Sequence, residues 1–132
     1  MTWTSHGKGK IGRFDRHDAT GWEIHHCGHP TANWPWYAIA PGDAETGYVA
    51  DHGRGWRTLD QAHEHVEDLI DGKRVASYRF SSKGYARSVL VCFHPECSEV
   101  ADVTAYSYRN GKPSCAAHDL HELLEDDRET EI

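Results

Sequence analysis

The chain predicts an α+β fold: a small antiparallel three-stranded sheet with one helix, then a hairpin-helix module packed against it. Three observations predict this. Short runs that alternate apolar and polar residues recur up to residue 50. One segment, residues 58–72, carries a helix start, a helical apolar stripe and a helix stop in succession. Three of the 4 cysteines fall in two short-spaced pairs in the last third of the chain.

Residues 1–20 are polar and glycine-containing, as in Ser5-His-Gly-Lys-Gly-Lys10, and read as a loose N-terminal arm anchored by Ile11 and Phe14. From Gly21 to Cys27 the pattern alternates, with Trp22 and Ile24 on one face of a first strand. Gly28 to Asn33 is a loop. Trp34 to Ala40 is a second strand, with Pro35 placing its start at an edge. Pro41-Gly-Asp43 turns the chain, and Gly47 to Ala50 is a short third strand. Thr58-Leu-Asp-Gln61 is a capping box, in which a threonine hydroxyl takes up a free N–H of the first turn and the glutamine side chain reaches back. Leu59, Ala62, Val66, Leu69 and Ile70 form the apolar stripe of a helix running to about Asp71, and Gly72 is its stop. Residues 21–72 therefore form a sheet-plus-helix module. It owns the aromatic core, since all 5 tryptophans precede residue 57. In architecture alone this plan resembles small DNA-binding sheets of the AP2 or integrase-arm type.

Residues 73–126 form the second module. Val75–Phe80 and Tyr85–Val91 read as a hairpin that feeds into Cys92-Phe-His-Pro-Glu-Cys97. Val100 to Tyr108 is strand-like, Arg109-Asn-Gly-Lys112 is a hairpin turn, and the return leg reaches Cys115-Ala-Ala-His118. A second helix from Ala116 to Glu125 carries Leu120, Leu123 and Leu124 on one face, with Cys115 and His118 together on its first turn. Thiolate and imidazole in two such pairs suit tetrahedral zinc, because a short loop can bring two donors to one ion. Cys92, Cys97, Cys115 and His118 are the expected ligands. His94 and His121 are alternatives to His118. Four protein ligands leave no open position for water, so the expected cofactor is one structural Zn²⁺. The pattern resembles a treble-clef or zinc-ribbon-type finger, and small bacterial and phage zinc modules of the form Cys-x-x-x-x-Cys … Cys-x-x-His. The resemblance covers the last third of the chain; its first spacer, four residues, is wider than the usual two. Residues 127–132 are an acidic tail.

Three other constellations stand out. His25-His26-Cys27-Gly-His29 reads as a second metal site, as a cysteine nucleophile beside an imidazole, or as a His-His element similar to that of HNH nucleases; alternation would instead split it between two faces of a strand. His63 and Glu67 share a helix face that could hold a metal or simply be solvated. The stretch 73–87 places Arg74, Arg79, Lys83 and Arg87 among Tyr78, Phe80 and Tyr85, a basic-aromatic pattern suited to single-stranded nucleic acid, or an ordinary hairpin whose aromatics fill the core.

The formal charge of −7 argues against general polyanion binding. No apolar run approaches a membrane span, and Met1-Thr-Trp-Thr-Ser has no apolar signal core, so the expected location is cytoplasmic without membrane contact. No phosphate-binding loop or nucleophile elbow is present. The expectation is a non-enzymatic, zinc-stabilised binding protein with a protein partner, of the accessory or inhibitory kind found in phages and mobile elements. The alternatives are a nucleic-acid-binding zinc protein using residues 73–87, and a small metal- or cysteine-dependent enzyme using the His25–His29 cluster.

Overall fold

The computed structural model describes residues 2–42, 47–48, 54–80, 87–102 and 113–118. The expected turn at 109–112, Lys83, Tyr85, His121, the helix beyond His118 and the acidic tail lie outside the described residues.

The elements in order are β1 (Trp3–His6), the single-turn α1 (Gly9–Gly12), β2 (Phe14–His17), β3 (Glu23–His26), β4 (Trp36–Ala40), β5 (Gly47–Tyr48), α2 (Leu59–Ile70), β6 (Ser77–Phe80) and β7 (Arg87–Val89). They build one seven-stranded sheet in the order β1-β2-β3-β4-β7-β6-β5. The first six are antiparallel neighbours; β5 joins parallel to β6, with Gly47 opposite Ser77.

The fold is α+β, but the expected three-stranded sheet is too small. β3 and β4 pair as the sequence suggests, Ile24 opposite Ala38. The short third strand does not continue that meander. It sits at the far edge, beside β6. β6 and β7 pair antiparallel as expected of the two legs of that hairpin, Tyr78 opposite Val89, and β7 adds to β4 through Ile39 and Ser88; the turn between β6 and β7 lies outside the described residues. The stretch read as a loose arm supplies β1 and β2, paired from Trp3–His17 to His6–Phe14. Its inward residues hid it. Asp15 and His17 are the buried positions of β2, so a polar pair stands where alternation would normally show an apolar one.

α2 forms as its local signals dictate. Thr58 is the N-cap and its hydroxyl accepts from the Gln61 N–H at 3.1 Å. The return half of the expected capping box is not made, since the Gln61 side-chain oxygen has no partner. Gly72 follows at φ 75°, the left-handed position that a helix stop requires. The helix buries Ala62, His65 and Val66, while Leu59, Leu69 and Ile70 pack partly buried against the same core. That core holds Trp22, Ile24, Trp36, Ala38, Trp56, Tyr78, Val89, Val91 and Val100. Trp56 is fully buried, and the His65 ring stacks on it at 5.8 Å between centroids.

At the β1 edge the helix is held by polar groups. Asp15, 2 % exposed, accepts from Ser5 Oγ (2.8 Å) and Arg13 Nε (3.0 Å), and its other oxygen lies 2.7 Å from His63 Nε2. Trp3 Nε1 donates to Glu67 at 3.0 Å. Gly55 must be glycine for a steric reason: a Cβ there would lie 2.1 Å from the Trp36 carbonyl oxygen, where the two backbones pair through Trp36 and Trp56. No helix among the described residues is long and apolar enough to cross a membrane.

Candidate metal centre

The sheet delivers the first donor. Beyond β7 the chain stays extended, and Val91 bridges to Arg54 on one side and to Val100 on the other. The next residue, Cys92, is fully buried, and its N–H donates to Glu99 O at 2.8 Å. A turn follows, closed by Cys97 N–H donating to His94 O at 2.9 Å, and it brings Cys97 back beside Cys92. The third donor arrives on residues 113–115. Phe93 N–H donates to Pro113 O (2.7 Å) and Asp102 N–H to Ser114 O (3.1 Å), which fixes Cys115 against the turn. Residues 116–118 are helical, so His118 returns to the face of Cys115.

The donor atoms of Cys92, Cys97, Cys115 and His118 lie within 4.8 Å of one another. His118 Nδ1 is 3.1 Å from Cys92 Sγ and 3.2 Å from Cys115 Sγ, and Cys97 Sγ is 3.9 Å from Cys115 Sγ. Tetrahedral bonds of zinc-like length separate such donors by about 3.5–3.8 Å. A disulfide needs its sulfurs about 2.05 Å apart, and all four cysteines are free thiols. The residues therefore fit one bound metal ion. Burial, then the neighbouring Cys92 and Cys115, push the Cys97 thiol up to about 12, and Cys92 is raised chiefly by burial. Crowded sulfurs oppose one another's negative charge, and a divalent cation among them would reverse that opposition. The Glu99 N–H donates to Cys97 Sγ at 3.4 Å.

His94 is not in the donor set. Its ring stacks on His118, centroids 4.2 Å apart and 5° from parallel, and its Nδ1 accepts from the Glu96 N–H.

No family model, curated protein or solved structure matches this chain.

The remaining candidates do not converge. β3 sends His26 into the core, 8 % exposed, and His25 to the opposite face, where its Nε2 lies 2.8 Å from Glu23. Cys27 and His29 are exposed, and no second metal-type grouping of His, Cys, Asp and Glu occurs among the described residues. His63 and Glu67, both partly buried, dock the helix on Asp15 and Trp3. Of the basic stretch, Arg74 pairs with Asp68 and Glu99 at the C-terminal end of α2, and Arg87 donates to the Pro41 carbonyl. Arg79 is exposed on the sheet, whereas Tyr78 is 4 % exposed and part of the core.

Sequence reasoning missed Arg54. Its guanidinium donates to the carbonyls of His94 and Cys97, the two ends of the turn between the first pair of donors, and lies over the Trp34 ring at 4.9 Å. A lone arginine about forty residues upstream carries no local signal of such a role.

Proposed function

We propose that the chain is a non-enzymatic binding protein whose last third is held in shape by one structural Zn²⁺, with a protein as partner. The observation that carries this reading is the closed set of four donors, three thiols and an imidazole, gathered from two separate stretches of the chain, 92–97 and 115–118. Thiolate and imidazole favour zinc among the common divalent ions, and a filled tetrahedral shell leaves no site for a reacting water. When bound, the ion supplies cross-links in place of apolar packing. The turn at 92–97, the paired leg at 113–115 and the helical step to His118 support a finger of the treble-clef or zinc-ribbon type. The partner surface is supported by α2, whose outward residues Asp60 and Glu64 and the C-cap Asp71 are exposed acids. Acidic faces of this kind favour basic partners and suppress acidic ones.

Native mass spectrometry of the purified chain tests the reading. One zinc per wild-type chain and none in Cys97→Ser is the expected result. A folded wild-type chain without zinc overturns it, and two metals per chain would return attention to the His25–His29 stretch.

A further inference from the structure

Three thiolates and a neutral imidazole around a divalent cation carry a net charge of about −1, in a site where Cys92 and Cys115 are buried. A half-buried anion of this kind is costly unless a cation stands beside it. Arg54 is a half-buried cation with the complementary difficulty. Among the described residues, Arg13 pairs with Asp15, Lys73 with Asp68, Arg74 with Asp68 and Glu99, and His25 and His63 lie against Glu23 and Asp15; no carboxylate pairs with Arg54. Its guanidinium lies instead on the metal centre's own backbone. It donates to His94 O and Cys97 O, its main chain pairs with Val91 next to Cys92, and one face of the guanidinium is covered by Trp34. Arg57 lies over the same indole at 5.6 Å but is exposed and makes no bond to the turn.

We infer that Arg54 is the counter-charge of the metal centre: it neutralises the thiolate shell and holds the 92–97 turn in ligating shape, so it positions the ligands without being one. This rests on the reading of Cys92, Cys97, Cys115 and His118 as zinc ligands. Partners that orient and neutralise a ligand shell typically govern about 10–100-fold in metal affinity. Arginine suits the place because its Nη2 serves both carbonyls while the planar face of the guanidinium stays against an aromatic ring.

The test uses the full chain as wild type, Arg54→Gln, Arg54→Lys and Arg57→Gln. Zn²⁺ affinity is read by competition with a chromophoric chelator, and ligand exposure by the rate at which the zinc-loaded thiols react with an aromatic disulfide reagent. Arg54→Gln is expected to lose about 10–100-fold in affinity and to release its thiols correspondingly sooner. Arg54→Lys, which keeps the charge, should recover most of that loss, and Arg57→Gln should match wild type. Equal loss in Arg54→Lys and Arg54→Gln would overturn the counter-charge, leaving only a backbone clamp. Wild-type affinity in Arg54→Gln would overturn both roles. A comparable loss in Arg57→Gln would assign the effect to general surface charge and overturn the inference as well. A wild-type chain that binds no Zn²⁺ fails earlier and differently, at the ligand reading itself.

Discussion

Two regions of this molecule are held by different physics. Around β3, β4 and α2 the chain buries large apolar side chains, Trp22, Ile24, Trp36, Trp56 and Val66, in one continuous core. Around the four donors it buries few. Val91 and Val100 join the main core, and the separate second cluster consists of Leu90 and Ala101. The first region excludes water by area. The second has thiols, an imidazole and backbone hydrogen bonds where a core would be. A short segment without enough apolar surface cannot offset its chain entropy by burial alone. On the proposed reading, ligation supplies the missing term, so the two regions should respond to different insults.

The largest expected effect follows directly. Binding of a structural zinc is worth on the order of 10 kcal/mol in small fingers. Stripping the metal with a strong chelator should therefore raise amide exchange sharply at Cys92, Phe93, Cys97, Ala101 and Asp102, all of whose N–H groups bond within the metal-bearing segments. Exchange within β3 and mid-α2 should change far less. Uniform loss of protection across both regions would show that they unfold as one unit and would break the contrast.

Trp56 is where the two regions touch. It is fully buried in the main core, and its Nε1 donates to Ser98 O at 2.8 Å, beside the 92–97 turn. Trp56→Ala should cost about 3–5 kcal/mol by denaturant titration. Trp56→Phe keeps much of the packing but leaves the Ser98 carbonyl unpaired, so its cost should be smaller, about 1–3 kcal/mol. If the phenylalanine variant also accelerates metal loss, the indole bond couples the regions; unchanged metal retention would mean that the tryptophan serves the apolar core alone.

The same division explains what could be read from the sequence. α2 was legible because its signals are local: a threonine cap, a 3.6-residue stripe and Gly72. The donors were legible because paired ligands lie close along the chain, Cys92 with Cys97 and Cys115 with His118. What could not be read depends on distant partners. β2 turns Asp15 and His17 inward and satisfies them with side chains such as Ser5, His63 and Thr20, a polar interior with no period to detect. β5 pairs with a strand thirty residues on, and Arg54 meets the turn more than forty residues on; neither leaves a trace in its neighbours.

Asp15 tests the polar edge of the first region. Burial raises its pKa, but hydrogen bonds from Arg13, His63 and Ser5 outweigh that and hold it below the ordinary 3.8. A carboxyl whose folded pKa is depressed stabilises the fold above its unfolded value, and that stability is lost as pH falls through the folded one. Urea unfolding should therefore show wild type losing stability below about pH 4, and Asp15→Asn losing less over the same range. At neutral pH the asparagine variant should be less stable by about 2 kcal/mol, the scale of hydrogen bonds to a charged acceptor. An identical acid slope in both proteins would remove Asp15 as the group that titrates.

The smallest expected effect concerns the start of α2. The Thr58 hydroxyl satisfies the Gln61 N–H, and the glutamine side chain makes no return bond. With only half of the box formed, Thr58→Ala should cost about 1 kcal/mol, and Gln61→Ala almost nothing. Both substitutions lie in the apolar region, so neither should alter zinc affinity. A change in metal retention with Thr58→Ala would mean that the first turn of α2 helps set the position of Arg54, four residues before the cap, and that the two regions are joined there more closely than their separate packing implies.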